Sequence, residues 1–297
     1  MRLLGVSEAS AKPVQRAMAR GAGEKNGGAR RATCDVHRLD ARGPASTTQL
    51  PMPHAPLTGR IALVTGAGTR LGAATARALA AAGADLAVHY ATSAAGAEVV
   101  VDEARSLGRR AAAFQADLHD RGALAALARA VLDWSSGRLD LLVHNAANFD
   151  RVPPAELSAD AWDRAMALNA TAPYLLTLEL APALRACRGS VVAMVCVSAE
   201  RPWKNYIPYS VSKAALAHLV RGLAVGLAPE VRVNGVSPGT VLPPSSYDEA
   251  TLARLRERIP LQRIGEAEDV ARAVVFLAEN DFITGQILAV DGGVSVA

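Results

Sequence analysis

The chain has 297 residues, about half of them apolar, which is enough to fill the core of one large α/β domain. Three cysteines, Cys34, Cys187 and Cys196, cannot form a paired framework, and their spacing suits neither a zinc site nor a CxxC redox centre, so a reducing, cytoplasmic compartment is expected. No window approaches the roughly 18–20 uninterrupted apolar residues of a membrane span, so a soluble protein without a membrane partner is expected.

The basic pI of 9.2 comes from one end of the chain. Residues 1–59 hold nine Lys or Arg against four Asp or Glu, which leaves 23 basic and 24 acidic residues for 60–297. The body is close to neutral, and nucleic acid is not an expected partner. Residues 1–56, rich in Ala, Gly, Arg and Pro, show no sustained apolar period and are read as an extension without a core of its own. The h-region of a secretory signal is missing. A disordered segment, an organellar leader and a start of translation at Met52 all account for it, and the folded domain is placed at 57–297.

From residue 61 onward, strand-like runs alternate with helical stretches. The runs are 61–67, 85–90, 110–118, 139–147, 189–199, 231–239 and 286–293. Such alternation predicts βαβ units and a doubly wound, seven-stranded parallel sheet flanked by helices, a Rossmann fold in a single domain. The stretch 71–82 is nearly all Ala and Leu and is stopped by Gly83. Ser158 starts a second long helix with Asp160 and Asp163 in its first turns, where carboxylates complement the helix dipole.

The first strand runs through TGAGTRLG (65–72) into a helix. Glycines there let backbone approach a pyrophosphate, and the helix N-terminus offers free N–H groups to its charge. NAD-specific sites close the second strand with an acid that holds the ribose hydroxyls, whereas here the chain reads His89, Tyr90, Ala91, Thr92, Ser93. No carboxylate repels a 2′-phosphate, Arg70 adds a fixed positive charge and Thr92 and Ser93 add hydroxyls, so NADPH/NADP is the expected cofactor. Farther on, Tyr209 and Lys213 stand at i and i+4 at the opening of a helix that continues through Leu227. They share a face, so the ammonium is expected to favour the phenolate and lower the tyrosine pKa from about 10.

With these motifs, AD before Leu118, HNAAN (144–148), Asn169 within LNAT, SPGTVLPP (237–244) and DGG (291–293), the sequence resembles the short-chain dehydrogenase/reductase family over essentially all of 57–297. The resemblance implies an NADP-dependent oxidoreductase with Tyr209, Lys213 and Asn169 as catalytic residues. It places Gly66, Thr69, Arg70, Leu71, Asp117, Leu118, Asn145, Ala146, Ala147, Pro238, Gly239 and Val241 along the cofactor, with His89 to Ser93. Asn169 is expected to kink its helix and hold a water in a proton relay. It further implies a homodimer or homotetramer built through the helices at 160–186 and 207–228, and a small-molecule substrate; no metal is implied.

The sequence departs from the family in two places. Cys196 stands thirteen residues before the tyrosine, where most members carry a serine that hydrogen-bonds the substrate carbonyl; either Cys196 lines the site with a weaker donor or Ser198 substitutes. The TGxxxRxG turn, the HY that closes the second strand, and Phe149 four residues after Asn145 resemble the pteridine reductase branch, in which an aromatic ring stacks on the pterin. That branch carries Asp where Cys196 stands. Phe149, Trp203 and Tyr247 are candidate substrate contacts. The expected reaction is hydride transfer from NADPH to a carbonyl or a pterin C=N. A 3-oxoacyl thioester or general ketone reductase is the alternative, and a non-catalytic NADPH sensor the third reading.

Overall fold

The computed structural model describes residues 55–297, so nearly all of the expected extension lies outside the described residues. Seven parallel strands form one sheet: β1 (Ile61–Val64), β2 (Asp85–Tyr90), β3 (Ala111–Gln115), β4 (Leu141–His144), β5 (Ser190–Met194), β6 (Arg232–Pro238) and β7 (Ile287–Val290), in the order β3-β2-β1-β4-β5-β6-β7. The doubly wound sheet expected from the alternating pattern is present, and its order reverses between β1 and β4.

Successive strand residues serve opposite faces. Ala62, Val64, Leu86, Val88 and Val143 pack under α1 (Arg70–Ala81), α2 (Ala94–Ser106) and α8 (Ala267–Glu279). Ile61, Leu63, Ala87, Leu142 and Val191 pack under α3 (Arg121–Trp134), α5 (Ala172–Ala186) and α6 (Ile207–Gly226). Both faces are covered, which is why β1 and β4 read as unbroken apolar runs. Ser158 caps α4 (Ala159–Met166) by accepting the Ala161 N–H, and Gly83 ends the first helix with φ +105°; α7 (Glu249–Glu257) lies in the segment after β6.

All the runs but 85–90 end earlier than the sequence pattern predicts, and two of the breaks shape the carboxyl edge. β1 stops at Val64 because Thr65 and Gly66 leave the sheet for the turn, and β5 stops at Met194 because Val197–Ala199 close into a 3₁₀ turn. Both breaks lie at the carboxyl edge of the sheet, where ligands of open α/β folds gather.

One buried group ties this core to pH. His144, at the end of β4, is wholly enclosed and bonds Thr177 Oγ1 at 2.8 Å through Nε2. Burial, reinforced by the charge of Lys213, pushes its pKa down to about 3. The folded state therefore resists a proton that the unfolded chain accepts near pH 6.5. Stability is full above that value and falls as the pH drops toward 3, by up to about 1.4 kcal/mol per pH unit. Urea midpoints measured between pH 7 and 4 are expected to fall on acidification, and His144→Gln, whose amide reaches Thr177 without titrating, is expected to flatten that slope.

Candidate active site

The turn after β1 is built by close backbone approach. Gly66 has φ +64°, a left-handed conformation that glycine adopts without strain. A Cβ on Gly72 would collide with the carbonyl of Gly66, and one on Gly96, at the start of α2, with the carbonyl of Gly68. The first-turn N–H groups of α1, without partners inside the helix, face this cradle. A phosphate-bearing ligand fits such a surface, since the glycines leave main chain exposed and the helix end carries partial positive charge.

Arg70 also has positive φ, +52°, a conformation that glycine adopts with less strain. Its guanidinium donates to the carbonyl of Leu242, in the segment after β6. Since β2 and β6 lie on opposite sides of β1, the arginine is held away from the β2 end. In this conformation Arg70 ties the turn to the Leu242 segment while lining the same cleft as Thr92 and Ser93. The absence of a carboxylate at Tyr90, Ala91, Thr92 and Ser93 stands apart from it.

A cleft of about 680 Å³ runs along the carboxyl edge of the sheet. It brings together Gly66, Thr69, Arg70 and Leu71 of the turn, His89 to Ser93 after β2, Asp117 and Leu118 after β3, and Asn145, Ala146 and Ala147 after β4. Pro238, Gly239 and Val241 after β6, Cys196 after β5, Phe149, Trp203, Tyr209 and Lys213 complete it. Sequence reasoning missed Leu168, Met194, Val195 and His119 on the same walls. The first three are apolar residues with no signature beyond their place in a strand or helix. Tyr247, expected at the mouth, is exposed and does not line the cleft.

His89 borders the cleft with its ring buried. Its Nδ1 accepts the Gly66 N–H at 3.0 Å and its Nε2 donates to the Ala116 carbonyl at 3.1 Å. It therefore braces the turn instead of meeting a ligand, which corrects the expectation of direct cofactor contact.

Asn169 is fully buried and outside the cleft wall. The expected kink is there, as a π-helical turn at Ala167–Thr171 between α4 and α5. Its side chain is used in bracing: Nδ2 donates to the Asn148 carbonyl at 3.2 Å and to Ser212 Oγ at 2.9 Å, and Oδ1 accepts the Asn148 N–H at 3.1 Å. Ser212 Oγ in turn donates to the Tyr209 carbonyl at 2.7 Å. Asn169 thus joins the β4 loop to the helix that carries Tyr209.

Tyr209 and Lys213 lie on one face of α6, with Nζ 5.8 Å from the centre of the phenol ring. The ammonium donates to the Met194 carbonyl at 2.7 Å, the partner a buried charge requires. Burial lowers its pKa to about 8. Burial pushes the Tyr209 phenol well above its usual range, and the sulfur of Cys196 adds to the shift. The expected lowering of the tyrosine pKa is therefore not seen here, because burial disfavours the phenolate and the ammonium is bonded to Met194.

Ser198 does not line the cleft. The strand ends before it, the 3₁₀ turn swings its side chain out of the cleft, and it is 1% exposed with its hydroxyl unpaired. Cys196 is the residue that borders the cleft beside Tyr209, its Sγ accepting the Ser198 N–H at 3.4 Å. Across from it stands an aromatic wall. Phe149, 54% exposed, stacks on Tyr206 at 4.6 Å between ring centres and meets Tyr209 edge to face at 4.8 Å and Trp203 at 6.1 Å.

A doubly wound sheet with a glycine-lined turn and a tyrosine and lysine at the same edge defines a dinucleotide-binding oxidoreductase. The chain matches the family model described as enoyl-(acyl carrier protein) reductase over residues 66–295. A short-chain dehydrogenase/reductase from Serratia marcescens superposes with a TM-score of 0.76 at 34% identity, over 81% of this chain and 100% of that one. A blue fluorescent protein from a metagenomic library, solved in complex with NADPH, has a TM-score of 0.75 at 33% identity, over 82% and 100%. A 7α-hydroxysteroid dehydrogenase, solved with NADH and 7-oxo glycochenodeoxycholic acid, has a TM-score of 0.76 at 33% identity, over 81% and 96%. The chain belongs to the short-chain dehydrogenase/reductase family, whose members bind NAD(P)H and act as oxidoreductases.

The placement of Cys196 generates a test. A hydroxyl donates more strongly than a thiol, so Cys196→Ser is expected to raise kcat several-fold with a carbonyl substrate. Ser198→Ala, altering a side chain outside the cleft, is expected to stay within about twofold. Loss of turnover in Ser198→Ala with the fold intact would reverse the assignment.

Proposed function

We propose that the chain reduces a carbonyl group, reversibly, using NADP(H), with Tyr209 as the proton donor. The observation that carries this reading is that Tyr209, Lys213 and the glycine turn, remote in sequence, border one cleft. The nicotinamide supplies the hydride when bound. Gly66, Thr69 and Leu71 with the first turn of α1 would hold its pyrophosphate; Pro238, Gly239 and Val241 would face its nicotinamide end.

Tyr209 Oη donates its proton to the substrate oxygen as negative charge develops there. The phenol is protonated at neutral pH, as a proton donor must be before transfer, although burial raises its pKa and by itself makes it a weaker acid. Lys213 contributes positive charge from a buried position, and Asn169 holds the Tyr209 helix in register with the β4 loop. The thiol of Cys196 borders the same space, so the substrate oxygen meets one strong donor and one weak one.

NADPH is favoured over NADH because the residues closing β2, Tyr90 to Ser93, present hydroxyls and no carboxylate. The solved relatives hold either nucleotide, so the preference rests on this chain's own residues. A pterin C=N is the second reading, supported by the half-exposed ring of Phe149 beside Tyr209, the place of the stacking aromatic in the pteridine reductase branch. One face of that ring is already covered by Tyr206, and Cys196 supplies no carboxyl, which favours the carbonyl. A second copy of the chain is the proposed partner, through α5 and α6, which leave Tyr174, Leu178, Val211 and Val225 exposed.

Stopped-flow oxidation of NADPH against ring ketones, quinones, 3-oxoacyl thioesters and pterins tests the reading. Turnover with a carbonyl panel member is expected, with kcat/KM for NADPH at least tenfold above that for NADH. Tyr209→Phe is expected to lose at least a thousandfold in kcat while binding NADPH nearly as the wild type does. Comparable activity in that variant would exclude Tyr209 as the acid, and oxidation by no compound would favour an NADPH sensor.

A further inference from the structure

We propose that His89 is a positioning residue for the cofactor: its imidazole sets the phosphate turn by holding the main-chain N–H of Gly66 while Asn145 holds the carbonyl of the same residue. The inference rests on the reading that the turn 65–72 receives the dinucleotide pyrophosphate.

The hydrogen bonds fix the tautomer. A main-chain N–H only donates, so His89 Nδ1, which receives the Gly66 N–H, carries no proton. A carbonyl only accepts, so Nε2, 3.1 Å from the Ala116 carbonyl, carries the proton and donates it there. The ring is 1% exposed, and burial keeps its pKa below the ordinary histidine value, so it is neutral at pH 7. The main chain of the same residue adds a third tie, its carbonyl accepting the Ala67 N–H at 2.8 Å.

On the far side, Asn145 Nδ2 donates to the Gly66 carbonyl at 3.0 Å. Gly66 is thus gripped at both its main-chain N–H and its carbonyl, and that carbonyl lies where a Cβ on Gly72 would strike it. The start of α1 rests on that carbonyl. Rotation of the backbone at Gly66 would therefore move the first-turn N–H groups that face the phosphate cradle. His89 reaches them without touching the ligand, and its grip on Ala116 extends the brace to the end of β3, beside Asp117 and Leu118.

The two nitrogens can be separated by substitution. Asparagine places an acceptor near Nδ1 and keeps the Gly66 bond; glutamine places its amide near Nε2 and keeps the Ala116 bond. NADPH dissociation constants, from nucleotide fluorescence, and melting temperatures are compared for wild type, H89N and H89Q. H89Q is expected to bind NADPH about tenfold more weakly and H89N within about threefold of wild type, with melting temperatures of the two variants alike. Steady-state kinetics are expected to put the H89Q loss in KM for NADPH, with kcat at saturation nearly unchanged. NADPH binding by H89Q as tight as wild type overturns the proposal. Equal losses in both variants, tracking their melting temperatures, also overturn it, since His89 would then serve the fold alone. Wild-type protein that binds neither NADPH nor NADH overturns the underlying cofactor reading, and the proposal with it.

Discussion

The structure depends on how β1 and β4 part. They are neighbours in the sheet, yet their chains continue to opposite faces, and the gap opened there must be closed by something other than the ladder. Thr65 and Asn145 close it. Thr65 Oγ1 donates to the Val143 carbonyl and accepts the N–H groups of Asn145 and Ala146, while Asn145 Nδ2 donates to the carbonyls of Thr65 and Gly66. Two side chains thereby satisfy the main-chain groups that the end of pairing would leave buried and unbonded.

The cleft follows from that closure. With the two strand ends locked, the glycine turn and the β4 loop face each other at a fixed distance. Asn169, at the π-helical turn, then takes up both main-chain groups of Asn148 and reaches Ser212, so the geometry of the crossing extends to α6. The titrating pair of the site sits at the end of this chain of bonds. A buried ammonium and a buried phenol are costly unless their surroundings compensate. Lys213 finds the Met194 carbonyl, and Tyr209 keeps its proton.

Two features stand at the ends of the site. Arg70, in a conformation that glycine adopts more cheaply, ties the phosphate turn to Leu242, and so links the cofactor end of the cleft to the segment bordering its mouth. Cys196 places a thiol, a weak donor, beside Tyr209 at the cleft. The wall of Phe149, Trp203 and Tyr206 offers area and polarisable faces but no charge.

The sequence by itself determined the alternation of strands and helices, the glycine turn, and the spacing of Tyr209 and Lys213, because these are local properties: apolar period, backbone freedom and helical pitch. It also determined nearly all of the cleft's lining, since residues that follow parallel strands are delivered to the same edge of the sheet. Only the tertiary structure decided how polar groups share partners. Whether His89 meets a ligand or a glycine N–H, whether Arg70 faces β2 or β6, whether Lys213 turns to a phenol or to a carbonyl, and whether Cys196 or Ser198 enters the cleft each depend on atoms far apart in the chain. A buried donor or acceptor takes the nearest partner that satisfies it, and that partner is supplied by another strand.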